Sequence, residues 1–437
     1  MPDAKTSEPM STGLEKVVDR AQRYPGEKIF SLAHRMDVPA LERAYHRLRN
    51  DAAAGVDGVT KAEYGRDLER NLEDLHERLR TKHWRHQPIR RVHIPKEQGK
   101  TRPIGISAVE DKLVQDAVRE LVEAIYEQGF LPCSYGFRPG RKAHDALRAL
   151  YRAVDRGAAN WIIEADIVSF FDSLDRAKLM EMLRNRIGDE SLMRLIGKCL
   201  HVGVLDGAEY SEPDVGATQG SVLSPLLGNV YLHNVLDWWF EHEIKPRLRG
   251  KAHLIRYADD FVIGFERQDD AERVMAVLPK RMGRYGLTLH PDKTRLLPFG
   301  RPTGQSGKGP GTLDFLGFRL HWRLNRHGSW RIGCKTKPAR LRRAILSVNE
   351  YCRRHRHDPV KTQHAALTRR LRGHFNYFAV SGNNRSPWRL RSETERIWRY
   401  WLRRRSQRTR LNWKRYRGLL ARLPLPRPQI RVQLWGT

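Results

Sequence analysis

Two short apolar runs, His253–Tyr257 and Phe261–Phe265, stand on either side of Ala258-Asp259-Asp260. Runs of this kind read as strands, and so small a gap between them reads as a hairpin. The hairpin carries two adjacent acids at its turn. An Asp-Asp pair alone is an ordinary turn signal. With apolar strands on both sides, however, the two charges are forced together unless a cation is present. A third acid, Asp166, follows another strand-like run that begins Trp161-Ile162-Ile163, an odd place for a charge. Carboxylates are the ligands hard Mg²⁺ prefers. Phoshoryl transfer through two such ions, ~3.5–4 Å apart, needs shared carboxylates to hold them.

The rest of the pattern supplies an α+β frame. Helical spacing covers residues 38–50, 60–80, 109–127 and 141–156, with two short strands around a turn in 88–106. Helices are expected near 175–186 and 190–200, a long apolar one over 221–245, and another over 269–284. Strands are expected near 294–299 and 313–320, on either side of a Gly/Ser-rich loop from Pro302 to Gly311. Beyond residue 335 the pattern is helical, basic and aromatic. A small antiparallel sheet packed on helices, with a helical domain appended, is the architecture this order implies.

Charge is distributed unevenly. The 437 residues carry a formal net charge of +31, and residues 331–437 alone hold 29 basic against 4 acidic residues. A need for solubility would not concentrate charge this way; a polyanionic partner would, through release of its counterions. Trp388, Trp398, Tyr400, Trp401, Trp413 and Tyr416 interleave with the arginines, as suits a surface that stacks on bases. No stretch approaches the ~18 consecutive apolar residues of a membrane span, and the first thirty residues lack the apolar core of a secretory signal. Cys133, Cys199, Cys334 and Cys352 are scattered, which favours neither a zinc site nor a disulfide scaffold. A cytoplasmic, nucleic-acid-associated protein with no membrane partner is the expectation.

The motifs then fall into a known order. Tyr257-Ala258-Asp259-Asp260 resembles the palm motif of reverse transcriptases, and Asp166 with Phe170-Phe171-Asp172 resembles the first palm motif of the group II intron enzymes. Ala217-Thr218-Gln219-Gly220-Ser221 through Pro225 is similar to their fourth motif. Arg102-Pro103-Ile104-Gly105-Ile106 and Ser134-Tyr135-Gly136-Phe137-Arg138-Pro139-Gly140 resemble the fingers motifs. Gly286–Thr294, Phe315-Leu316-Gly317-Phe318, and Arg372-Gly373 with Asn376-Tyr377-Phe378 complete the series. On these motifs the chain is identified as a member of the bacterial group II intron-encoded reverse transcriptase/maturase family.

The resemblance implies a right-hand polymerase. Its divisions would be an extension over 1–40, fingers and palm over 41–325, a thumb/maturase domain over 326–405 and a basic, DNA-binding tail over 406–437. It implies two Mg²⁺ ions held by Asp166, Asp259, Asp260 and the Ile167 carbonyl. Arg90, Lys96 and Arg102 would reach the triphosphate, and Gln219 the nucleotide. Phe171 would press on the sugar 2′ position, and Phe315, Leu316, Gly317 and Phe318 would grip the primer. Arg372, Arg403, Arg404 and Arg405 would bind RNA. Partners would be an intron RNA template, a DNA primer or target and dNTPs, with monomer and homodimer both open. Some relatives carry a C-terminal nuclease with paired cysteines; none is expected here. Two other readings stay open at this level: a maturase with little polymerase activity, and a free-standing relative serving phage defence or DNA repair. The retained acids weigh against the first.

Overall fold

A computed structural model describes residues 12–95, 101–156, 158–207, 209–211, 215–217, 220–303, 310–325, 327–406 and 411–434. Among these, the strands in chain order are β1 (Ile89–Pro95), β2 (Thr101–Ile106), β3 (Trp161–Ala165), β4 (Val204–Asp206), β5 (Glu209–Ser211), β6 (Ala252–Tyr257), β7 (Asp260–Phe265), β8 (Arg295–Pro298), β9 (Thr312–Phe315), β10 (Phe318–Leu324) and β11 (Trp330–Thr336). They form three small sheets ordered β2-β1-β4-β5, β6-β7-β3-β8 and β11-β10-β9, and helices surround them.

The middle sheet is antiparallel throughout. Its central strands are apolar on both faces because both faces are covered. Ile163 and Ile263 join a large core with Val118, Leu227 and Val274, contributed by the helices Val109–Tyr126, Ser224–Leu232 and Gln268–Arg284. Ile162 and Val262, pointing the other way, join Leu147 and Leu150 of the helix Ala143–Asp155 and Phe318, Leu320 and Trp322 of β10. Alternation along a strand thus divides one sheet between two cores. At about 25 cal/mol per Å² of buried apolar area, burying these runs stabilises the sheet. A third core, with Leu341, Leu367, Leu371, Trp398 and Tyr416, lies inside a bundle of the helices Pro338–Arg354, Val360–Phe378, Arg385–Arg403 and Trp413–Arg422.

Three features depart from the sequence pattern. The expected long helix over 221–245 is α-helical only to Leu232 and continues in two wide π turns, His233–Asp237 and Trp239–Ile244. The division at residue 325/326 falls inside the β10–β11 hairpin, whose register runs from Phe318↔Thr336 to Leu324↔Trp330, so the helices begin only at Pro338. The described part of the basic tail, residues 411–434, packs back onto the rest of the fold. Val432 pairs with Val380, Arg148 donates to the Gln433 carbonyl at 2.9 Å, and Leu434 is buried in the second core.

Candidate active site

The three acids meet at one end of the middle sheet. Asp166 directly follows β3, whose last residue Ala165 pairs with Phe261 of β7. Tyr257 and Asp260 are the last pair of the β6–β7 hairpin, leaving Ala258 and Asp259 as a two-residue turn. Ala258 has φ +57, a left-handed conformation that alanine disfavours, while Asp259 is not among the positive-φ residues. The register therefore brings Asp166, Asp259 and Asp260 to adjacent strand ends.

Their electrostatics report the crowding. The Asp259 carboxyl is raised above its ordinary range by burial and then by Asp166, against the pull of Arg102 and Arg256. Asp260 is pushed up to about 6, first by loss of water and then by Asp259 and Asp166, with Lys293 and Arg340 opposing. Asp260 still has an exposed face. Asp166 is paired with the Lys293 ammonium at 2.5 Å. Its own carbonyl accepts from His290 N at 2.8 Å, and Ile167 bridges Leu289. Among the described residues no three metal-ligating side chains are gathered tightly enough to enclose an ion. The donor set is nonetheless one that suits a hard cation: carboxylates that repel one another, with a lysine ammonium already drawn onto one of them.

Around the acids, the other predicted residues are unevenly placed. Arg102 lies on β2, is exposed, and is close enough for its charge to act on Asp259. Arg90, on β1, donates to the Ala54 carbonyl at 2.7 Å, which ties it to its own framework. Lys96 and Gln219 lie outside the described residues. Phe171 is half-buried beside Phe170, with ring centroids 5.1 Å apart, and its carbonyl accepts from Ala217 N at 2.6 Å. Just after Gln219, Gly220 has φ +112 and passes so close to β2 that an added Cβ would stand 2.3 Å from the Gly105 carbonyl oxygen. No side chain fits there.

The Phe315–Phe318 turn is a tight hairpin with Leu316 at φ +51 and Gly317 at φ +79. Positive φ at both central residues is the I′ pattern that matches strand twist. Phe315 and Phe318 point into the core, so only Leu316 and Gly317 form the accessible tip. The helix Val360–Phe378 supports that tip: Tyr377 Oη donates to the Leu316 carbonyl at 3.0 Å, and the Phe378 ring stands against Phe318 at 5.0 Å. Arg372, Arg403 and Arg404 are exposed, and Arg404 stacks over Tyr400 at 4.5 Å. Arg405 is turned inward, donating to the His357 and Asp358 carbonyls at 2.9 and 3.0 Å.

Sequence reasoning passed over several residues that hold this site. Lys293 sat inside a motif with no role assigned, yet it pairs with Asp166. The fully buried Gln115 accepts from Ser221 Oγ and Val222 N, both at 3.1 Å, and so fixes the loop that follows Gln219. Arg256 and Asp237 form an ion pair with both side chains 0% exposed beneath the acidic turn. In sequence these look like ordinary polar positions. Only the long-range pairing gives them away.

Comparison with known proteins agrees with the geometry. A model of the reverse transcriptase (RNA-dependent DNA polymerase) family matches residues 94–320. Protein YkfC of Escherichia coli (strain K12) is 34% identical over 314 residues, covering 64% of this chain and 78% of that protein. The group II intron-encoded protein LtrA of Lactococcus lactis subsp. cremoris is 37% identical over 249 residues, 54% of this chain but only 41% of LtrA. Nuclear intron maturase 2, mitochondrial, of Arabidopsis thaliana is 24% identical over 235 residues, 45% of this chain and 30% of its own length. The chain belongs to the reverse transcriptase (RNA-dependent DNA polymerase) family.

Proposed function

We propose that this reverse transcriptase extends a DNA primer along an RNA template by adding dNMP units to the primer 3′ end, and that it also binds intron RNA and assists its splicing. The observation that carries the polymerase reading is the convergence of Asp166, Asp259 and Asp260 on adjacent strand ends, with the Asp259 and Asp260 carboxyls raised by burial and by their acidic neighbours. The intron role rests on the group II relatives and on the basic helical bundle. In this reading the β1–β2 hairpin is the fingers, the middle sheet the palm and the bundle the thumb.

Asp166, Asp259 and Asp260, with the Ile167 carbonyl, are the groups that would hold Mg²⁺. When bound, two such ions supply charge stabilisation for the attacking 3′ hydroxyl and the leaving pyrophosphate. The chain's own residues do the positioning, which is most of what phosphoryl transfer asks of a protein. Arg102 presents a guanidinium fork to triphosphate oxygens. Lys293, paired with Asp166, would give up that carboxylate to a bound cation. Leu316 and Gly317 present backbone to the primer strand. The full chain is expected to extend a DNA primer annealed to RNA when Mg²⁺ is present. EDTA stops the reaction, and restored Mg²⁺ revives it. Extension that continues in EDTA overturns the metal assignment.

Phe171 gives a second test, on sugar choice. Its half-buried ring lies beside Gly228, whose added Cβ would come within 3.3 Å of it, so the ring has a fixed seat. A ring held against the sugar would exclude a 2′ hydroxyl. Phe171→Ala is expected to lower the preference for dNTP over rNTP by on the order of ten-fold or more, as losing a steric barrier does. An unchanged preference in the folded variant makes Phe171 a packing residue only.

A further inference from the structure

Beneath the acidic turn lies an arginine with no outlet to solvent. Arg256 is the penultimate residue of β6, three positions before Asp259, and its side chain is 0% exposed. Every N–H of its guanidinium is used. Nε and Nη2 donate to the two oxygens of Asp237 at 2.7 and 2.5 Å, and Nη2 also donates to Ser134 Oγ at 2.8 Å. Nη1 donates to Asn229 Oδ1 at 2.9 Å and to the Ala258 carbonyl at 3.0 Å. An arginine has five N–H donors, and here each meets an acceptor.

The partners come from three separate elements. Ser134 lies in a segment that pairs with β6, since Tyr135 N donates to the Arg256 carbonyl and Arg256 N to the Cys133 carbonyl, both at 2.8 Å. Asn229 is on the helix Ser224–Leu232 and also donates to the Gly136 carbonyl at 2.7 Å. Asp237 is brought round by the first π turn, a device often found where a helix serves a site. Gly136 then passes so near the turn that an added Cβ would stand 2.3 Å from Ala258 N.

An ion pair buried this deeply is a poor source of stability, because desolvation offsets the attraction; an apolar pair of the same size would often do as well. What apolar side chains could not do is hold a carbonyl. The Ala258 carbonyl is the last backbone group before Asp259, and Ala258 sits in a conformation it would not choose.

We infer that Arg256 is a positioning residue for Asp259: its saturated guanidinium, anchored by Asp237, Asn229 and Ser134, holds the Ala258 carbonyl and so fixes the direction in which the Asp259 carboxylate is presented to metal. This inference rests on the reading of Asp259 as a metal ligand. Lysine at position 256 would keep the charge but has a single nitrogen, which cannot span Asp237 and the Ala258 carbonyl as the planar fork does.

The test uses full-length protein. Mn²⁺ binding without nucleic acid is followed by the electron paramagnetic resonance signal of free Mn²⁺, alongside thermal melting, RNA binding and the Mg²⁺ concentration that half-saturates primer extension. Arg256→Lys, in protein that is folded at the assay temperature, is expected to weaken Mn²⁺ binding by on the order of ten-fold, the usual effect of one lost hydrogen bond. The half-saturating Mg²⁺ concentration rises with it, and RNA affinity is unchanged. If Arg256→Lys does not fold, Ser134→Ala and Asn229→Ser carry the test. Each removes one acceptor of the guanidinium and leaves the Ala258 carbonyl in place, so a smaller shift in the same direction is expected. A lower melting temperature with wild-type Mn²⁺ affinity and wild-type Mg²⁺ dependence in the folded variants overturns the inference and makes Arg256 purely structural. Asp259→Asn is the control that separates the two ideas. If that variant binds Mn²⁺ and extends primers normally, the reading of the site itself fails; if it is dead while the Arg256, Ser134 and Asn229 variants bind metal normally, only the inference fails.

Discussion

Asp259→Asn is expected to leave RNA bound but uncopied. The substitution keeps the shape of the side chain and the hairpin that carries it, yet an amide brings no negative charge to a cation. Loss of one charged ligand from a site that stabilises phosphoryl transfer costs several kcal/mol of barrier, or at least ~10³-fold in rate. Primer extension on an RNA template measures it. RNA affinity is proposed to reside elsewhere, on the exposed arginines, and is expected to be unchanged. A second readout has the opposite sign from ordinary damage. Asp259 is held above its usual range by burial and by Asp166, and it raises Asp260 in turn. Neutralising it relieves that repulsion, so without divalent cation the variant is expected to melt no lower than the parent chain. Undiminished cDNA synthesis would remove Asp259 from the site.

The parts of this site that were legible in the sequence are those where a local pattern carries the whole message. The β6–β7 hairpin could be read because two apolar runs with so short a gap leave no other pairing, and Asp166 because a charge after Trp161-Ile162-Ile163 is out of place. The family motifs named Phe315–Phe318 as a unit but not its inside and outside. Alternation in a hairpin sends Phe315 and Phe318 into the core and leaves Leu316 and Gly317 at the tip.

What stayed hidden depends on residues far apart in the chain. Arg256 and Ser134 are 122 positions apart, and Gln115 and Ser221 are 106 apart. No periodicity records such pairs. The π turns that swing Asp237 inward lie in an apolar run that reads as plain helix. β11 is hidden for a different reason: Trp330–Thr336 has two charged residues, Arg331 and Lys335, with Lys337 just beyond it, at the edge of a region whose composition is overwhelmingly that of the basic bundle.

The basic bundle itself supplies the second large effect. Cutting the chain at residue 330 would be a poor test of RNA binding, because β11, Val380 and Leu434 share a core with the middle sheet. The outer face of the helix Arg385–Arg403 is the better target. Arg389, Arg396 and Arg403 recur every seven residues, so they lie on one side of the helix, and all three are exposed. Trp388 and Tyr400 are exposed on the same helix at 42% and 47%. Arg405 is left alone, since its hydrogen bonds to the carbonyls at 357 and 358 make it part of the framework. Replacing Arg389, Arg396 and Arg403 together with Ala, a strong helix former, is expected to preserve the fold. Each phosphate contact contributes roughly 0.7–0.9 to the slope of log affinity against log salt. The triple variant should therefore lose ~2–3 units of slope, with most of the lost affinity seen at low salt. Filter binding to a structured RNA across a salt series reads both quantities, and melting confirms the fold. Primer extension at saturating template is expected to be far less affected, because these arginines lie on a different element from Asp166, Asp259 and Asp260. If slope and affinity both match the parent chain, this face is solvated charge and the RNA is bound elsewhere.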